Sequence, residues 1–363
     1  MKGIDFGLPE IDDRYHIWRV PLVNKVSGEK IGEVVIDAIT TFVEDGKTTK
    51  PSIIEKRIIN GNGKTIPKIS IDTNNYVVSS QRNTVALGDA EKILQDMAAK
   101  SVDLIFTSPP YYNARPEYSD YVTYEDYLLK IRKVIQSSHR VLNEGRFFVI
   151  NIAPVLIRRS SRSEASKRIA VPFDVHRIFI EEGFDFIDDI IWVKPEGAGW
   201  ATGRGRRFAA DRSPLQYKAV PVTEYIIVYR RRDDKLIDWN IRTYPDQNAV
   251  KKSKIDNNYE ETNLWKITPA HNKLHPAIFP DELAERVIRY YSFIGDVVLD
   301  PFAGIGTVGR AATKFKRRFV LVELNKKYID IIKKEVKSWL GLKSKEILYI
   351  NCEASSEGTE PFI

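Results

Sequence analysis

The sequence predicts a doubly wound α/β fold built on a mostly parallel sheet, and three observations carry that expectation. Strand-like and helix-like segments alternate from about Arg82 to Leu340. Several strand segments are near-continuous apolar runs, the signature of a sheet covered on both faces; Val102–Thr107 (VDLIFT) is the clearest. A glycine-bearing turn, Asp300–Thr307 (DPFAGIGT), joins a strand to a helix in the way such sheets receive ligands at the carboxyl ends of their strands.

Taken in order, Thr84–Leu87 reads as a strand, Glu91–Ala99 as a helix and Val102–Thr107 as a buried strand. Tyr124–Leu142 has helical spacing and stops near Asn143-Glu144-Gly145; Arg146–Asn151 is again a buried strand. Val171–Glu182 is a helix ended by Gly183, and Phe186–Val193 and Glu224–Arg230 are strands. Asp281–Ser292 is a helix, Asp296–Leu299 a strand, Thr307–Phe315 a helix and Arg318–Val322 a strand. Lys326–Leu340 is a helix capped by Gly341. Residues 1–80 form a separate N-terminal module of short apolar segments (Ile31–Ile39, Ser52–Ile59) with a Gly61-Asn62-Gly63 turn and no visible chemistry. The expected divisions are 1–80, 81–230, an irregular insert at 231–270, 271–350, and a tail at 351–363.

The 363 residues, 43% of them hydrophobic, suffice for one large core plus an appendage. The formal charge of +7 suits a polyanionic partner. A single cysteine, Cys352, excludes an internal disulfide, and five scattered histidines without His-x-Glu or HExxH spacing speak against zinc. No apolar run reaches the roughly 18 residues of a membrane span. The N-terminus carries Asp5 and Glu10 and lacks a signal-peptide core, so a cytoplasmic protein is expected.

Two turns carry chemistry. Asp300-Pro301-Phe302-Ala303-Gly304-Ile305-Gly306-Thr307 lets a ligand lie against backbone, and Glu323, ending the next strand, can accept two hydrogen bonds from a ribose diol. Gly304, Gly306 and Gly309 also fit a dinucleotide spacing, but Asp300 would repel a pyrophosphate and attract a cationic amine. Thr107-Ser108-Pro109-Pro110-Tyr111 follows a buried strand. Its prolines free backbone carbonyls from sheet pairing, so Ser108 and the Pro109 carbonyl can accept from one NH₂ group while Tyr111 stacks on a flat ring. Basic interruptions supply phosphate contacts: Arg158 and Arg159 in 153–167, Arg204, Arg206, Arg207 and Arg212 in 194–218, and Lys251 and Lys252 among aromatic residues in 231–270.

Ser108-Pro109-Pro110-Tyr111 followed far later by Asp300–Gly306 resembles the beta group of amino-methylating DNA methyltransferases, with their (D/N/S)PP(Y/F) and DPFxGxG motifs. Gly88-Asp89 is similar to the family's pair near the cofactor adenine. His275-Pro276 resembles the segment around the cofactor's methionine end, and Pro221–Arg231 the strand before the recognition region. The resemblance runs from about Asn83 to Leu340. It implies a Rossmann-like fold with permuted motif order, S-adenosylmethionine as cofactor without a metal, and double-stranded DNA as partner. In those terms, 81–230 is the catalytic half, 231–270 the target-recognition insert and 271–350 the cofactor half. The family also makes a cognate restriction endonuclease an expected associate. Because the target amine is buried in a duplex, the base is expected to be flipped out. In the family, Ser at the first motif position accompanies N4-cytosine products and Asp or Asn accompanies N6-adenine. N4-cytosine is therefore the first expectation and N6-adenine the alternative. An RNA amine methyltransferase and a silent cofactor-binding DNA reader are the more distant ones. Carbon-5 cytosine methylation is excluded, since it needs a Pro-Cys nucleophile and Cys352 follows Asn351.

Overall fold

The computed structural model describes residues 3–12, 15–26, 28–60, 79–112, 123–157, 167–195, 214, 219, 221–233, 235–270, 279–341 and 346–351. The chain divides into two compact units, residues 1–75 and 76–363. In the first, β1 (Ile4–Phe6), β2 (Glu10–Asp12), β3 (Ile17–Asn24) and β4 (Lys30–Asp37) form an antiparallel sheet centred on β3. Helix α1 (Pro51–Asn60) closes it by burying Ile54 against Leu22 and Ile31. The segment Ser52–Ile59 is thus helical, and Ile31–Ile39 supplies most of β4.

The second unit begins with β5 (Thr84–Leu87), α2 (Ala90–Asp96), β6 (Val102–Thr107), α3 (Tyr124–Val141) and β7 (Leu142–Ile152). A small hairpin of β8 (Val155–Ile157) and β9 (Lys167–Ile169) leads to α4 (Val171–Glu181), β10 (Phe184–Val193) and β11 (Thr223–Arg231). Then come α5 (Trp239–Thr243), α6 (Gln247–Lys252), β12 (Leu264–Lys266), α7 (Asp281–Tyr291), β13 (Val297–Asp300), α8 (Thr307–Lys314), β14 (Arg318–Glu323), α9 (Lys326–Leu340) and β15 (Leu348–Asn351). Among the described residues nine of these strands form one sheet in the order β12-β10-β11-β7-β6-β13-β14-β5-β15. Only β11 runs against the rest: it is antiparallel to both β7 and β10, and every other neighbouring pair is parallel.

Side-chain alternation explains the layering. Ile105 of β6 points into a core shared with α2, α3 and α4, while its neighbours Leu104 and Phe106 point into one shared with α7, α8 and α9; a register shift against β7 between Val102 and Leu104 puts Val102 on the same side as Ile105. Both faces being covered, β6 has no polar face to show, which is why it reads as an apolar run. The register places Leu104 beside Val298 and Ile105 beside Leu299, so β6 and β13 end side by side.

A buried polar knot fixes that register from the amino ends. Asp103 accepts from Asn143 Nδ2 at 2.7 Å and from the Val297 amide at 2.9 Å. Arg146 donates to the Asp103 carbonyl at 2.9 Å and pairs with Asp296, which also accepts from the Tyr244 hydroxyl at 3.1 Å. Burial and the Asp296 charge raise the Asp103 carboxyl to about 6. The knot ties β6, β7 and β13 to the segment carrying α5. The insert at 231–270 is therefore packed structure at least in part: α5 and α6 lie at the amino ends of the strands, and β12 extends the sheet beside β10.

Candidate active site

Because β6 and β13 are adjacent and parallel, the two chemistry-bearing turns leave the same sheet edge. Thr107, the last residue of β6, donates from Oγ1 to Asp300 Oδ1 at 2.6 Å; both residues are almost wholly buried. Ser108–Tyr111 and Asp300–Thr307 thus start from one hydrogen-bonded point, although they are far apart in the chain.

On the glycine side, Asp300 Oδ1 also accepts from the Phe302 amide at 3.1 Å. No described residue bonds its Oδ2. Pro301, Ala303, Gly304, Gly306 and Thr307 are buried, and Phe302 packs partly exposed against the core under α2–α4. Glu323, at the end of β14, accepts from the Gly304 amide at 2.8 Å through Oε2 and from the Asn325 amide at 2.7 Å through Oε1. Each oxygen keeps a second lone pair. Burial raises both carboxyls to about 7; for Asp300 its two hydrogen bonds oppose the rise and the Glu323 charge adds to it, and for Glu323 backbone hydrogen bonds oppose it. Gly306 has φ +86°, and a Cβ there would lie 2.7 Å from the Trp339 ring. A Cβ on Gly309 would lie 2.6 Å from Leu321 Cδ1. The third glycine therefore seats α8 on β14, whereas Gly306 makes the turn. Asp89 follows β5, the next strand beyond β14. Its Oδ1 accepts from the Glu91 amide at 2.9 Å as the N-cap of α2, and its Oδ2 pairs with Lys130.

On the proline side, Pro109 is buried while Ser108, Pro110 and Tyr111 are half-buried. Three residues absent from the sequence-based site join them. The Tyr111 hydroxyl donates to Glu224 Oε2 at 3.1 Å, as does Asn151 Nδ2 at 2.9 Å. Asn151 Nδ2 also reaches Ser108 Oγ at 3.5 Å, and Lys194 pairs with Glu224 Oε1. Burial and the Glu224 charge push the Tyr111 phenol well above its usual range. The available signal was a polar residue closing an apolar strand: Asn151 near the end of β7, Lys194 just after β10 and Glu224 at the start of β11.

Lys251 and Lys252 are not brought to this site. They end α6, which sits by Ile294, ahead of the amino end of β13 and opposite the two turns. Arg158, Arg159, Arg204, Arg206, Arg207, Arg212, His275, Pro276 and Cys352 lie outside the described residues. Among the described residues no cluster of His, Cys, Asp or Glu is placed to hold a metal ion, and no helix is long and apolar enough to cross a membrane.

A parallel sheet with one reversed strand and two functional turns on adjacent strand ends is the architecture of a Rossmann-like methyltransferase. A family model described as DNA methylase, of the N6/N4 type, matches residues 102–334, and the chain belongs to that family. The Type II methyltransferase M.ScaI of Streptomyces caespitosus is 29% identical over 256 residues, covering 67% of this chain and 78% of the relative. The Type II beta methyltransferase M.BslI of a Bacillus species is 26% identical over 273 residues. That match covers 73% of this chain, which spans only 28% of that relative's length. A DNA modification methylase of Thermus thermophilus, crystallised with S-adenosyl-L-methionine, superposes with a TM-score of 0.60 at 27% identity. It covers 77% of this chain and 100% of that one.

Proposed function

We propose that this chain transfers a methyl group from S-adenosylmethionine to the exocyclic N4 of cytosine in duplex DNA, at a defined sequence, as the modification partner of a restriction endonuclease. The observation that carries the reading is the Thr107–Asp300 hydrogen bond, which starts the amine-binding turn and the cofactor turn from one point.

The glycine turn fits the cofactor. Asp300 Oδ2, unpaired among the described residues, suits a cationic amine, and the spare lone pairs of Glu323 suit a ribose diol. A pyrophosphate would meet two buried carboxyls instead of donors. The Thermus methylase crystallised with this cofactor supports the assignment. When bound, S-adenosylmethionine supplies a methyl carbon activated by a sulfonium.

The chain's own residues do the rest. An aromatic amine is a poor nucleophile because its lone pair is delocalised into the ring. Ser108 Oγ and the Pro109 carbonyl accept its two N–H groups, draw the nitrogen toward tetrahedral geometry and free that lone pair. Tyr111, anchored through its hydroxyl, offers its ring to the extruded base. Catalysis is positioning, so the two turns must be held in register, which the buried knot at the amino ends does. Flipping the base costs a few kcal/mol, which phosphate contacts offset. Ser108 at the first motif position supports cytosine over adenine.

The test is nucleoside mass spectrometry of unmethylated DNA after incubation with the protein and S-adenosylmethionine. N4-methylcytosine is expected. N6-methyladenine alone would move the assignment to the other amine, and no methylated nucleoside would reject it.

A further inference from the structure

The mechanism above leaves one buried cluster unused. Glu224 and Asn151 are both more than nine-tenths buried, and Lys194 pairs with Glu224 beside them. Three separate strand ends, of β7, β10 and β11, deliver these groups to the back of Ser108 and Tyr111.

A carboxylate accepts hydrogen bonds and donates none. The Tyr111 proton is therefore committed to Glu224 Oε2, and the Asn151 amide must turn its NH₂ toward the same oxygen. That orientation leaves Asn151 Oδ1 buried without a hydrogen-bond partner among the described residues, a sign that Glu224 imposes it. With its proton spent, the Tyr111 oxygen has only lone pairs to offer its neighbour Ser108, so a bond between the two can run only from the Ser108 hydroxyl to the Tyr111 oxygen. Asn151 Nδ2 offers a second donor to Ser108 Oγ at 3.5 Å. Ser108 is left with a lone pair, and no proton, for the pocket. The opposite direction would be inhibitory, because a Ser108 proton donated to the target nitrogen would occupy the electron pair that must attack.

We propose that Glu224, ion-paired with Lys194, is a positioning residue that fixes the direction of the Ser108–Tyr111–Glu224 hydrogen-bond chain, so that Ser108 meets the target amine as an acceptor. The inference rests on the reading of Ser108 as the amine acceptor. Nothing in it depends on which base carries the amine.

Two substitutions test it. In Glu224→Gln, Lys194 attracts the amide oxygen and turns the NH₂ toward Tyr111, reversing the chain. Tyr111→Phe deletes the atom that takes the Ser108 proton. Each is expected to lower the single-turnover methyl-transfer rate on unmethylated DNA by about tenfold or more. Cofactor affinity by calorimetry and KM for DNA should stay within about twofold of wild type. The double variant should be no slower than the slower single one, since both break the same chain. A folded Glu224→Gln protein with wild-type turnover, or losses that multiply in the double variant, would overturn the inference. So would a parallel loss of cofactor binding, DNA binding and thermal stability, which is what a merely structural role gives. If Glu224→Gln does not fold, Tyr111→Phe, which removes one oxygen, decides alone. Ser108→Ala separates the two readings. Full activity in it rejects the site itself, whereas an inactive Ser108→Ala beside wild-type-like Glu224→Gln and Tyr111→Phe rejects only the positioning role.

Discussion

Replacing Asp300 by Asn should stabilise the cofactor-free protein at mildly alkaline pH while weakening its hold on the cofactor. The Asp300 carboxyl is raised from 3.8 to about 7 because it is buried, with Glu323 close by. Between those two values the folded protein binds a proton that the unfolded chain has released. Stability therefore falls as pH rises through this window, and the full penalty is present above about pH 7. A displacement of that size corresponds to about 4 kcal/mol. Asn removes the charge and keeps an oxygen for the Thr107 hydroxyl and the Phe302 amide, so the contacts made by Asp300 Oδ1 survive. Urea unfolding at about pH 8 should show a gain on the order of 2–4 kcal/mol, shrinking toward zero near pH 4. Calorimetry on the same protein should show S-adenosylmethionine binding weakened by tenfold or more, about 1.4 kcal/mol, because the cationic amine loses its partner. In the wild type, affinity should decline as pH drops below about 7, since binding must then expel a proton. An Asp300→Asn protein no more stable than wild type at pH 8, with unchanged cofactor affinity, would refute the claim that this buried carboxylate costs stability when ionised and meets the cofactor's cation.

Other substitutions separate structure from chemistry. Ser108→Ala and Tyr111→Ala should each cut turnover by about a hundredfold or more while calorimetry finds cofactor binding largely intact. Gly309→Ala places a methyl 2.6 Å from Leu321 Cδ1 and should destabilise the fold by about 1–3 kcal/mol in urea titrations, by prising α8 off β14. Cys352→Ala should keep full methylating activity in a radiolabel assay, since the reaction needs no thiol.

How far the sequence disclosed the fold depended on whether an element's boundaries were set locally. Val102–Thr107 and Lys326–Leu340 match the structure residue for residue: one is bounded by Ser-Pro-Pro, the other by an Asn325 cap and Gly341. Helix α2 ends at Asp96 instead of Ala99, because the Arg140 guanidinium takes the carbonyls of Leu94, Gln95 and Met97, a tertiary contact with no local signature. Residues 231–270 read as irregular because α5 and α6 are too short for a period to show. Asn240 bonded to the Gly145 carbonyl and Tyr244 bonded to Asp296 hold α5, and the Asp246 cap starts α6. Their placement also separates Lys251 and Lys252 from the two turns. The hairpin of β8 and β9 and the edge strand β15 were hidden because, unlike the equally short β5 and β13, none of them buries a residue fully, so no buried apolar run marks them. At the site, Ser108–Tyr111 and Asp300–Thr307 were legible because each is a contiguous run. Glu224, Asn151 and Lys194 were not, because their meaning arises only when three strands converge on Tyr111 and Ser108.

A structure of the protein with S-adenosylmethionine and DNA carrying its target site tests the central claim most directly. The account predicts a base turned out of the duplex against Tyr111, its exocyclic nitrogen accepted by Ser108 and the Pro109 carbonyl and about 3–3.5 Å from the methyl carbon. A cofactor seated away from Asp300 and Glu323, or an amine bound out of reach of Ser108, would contradict it.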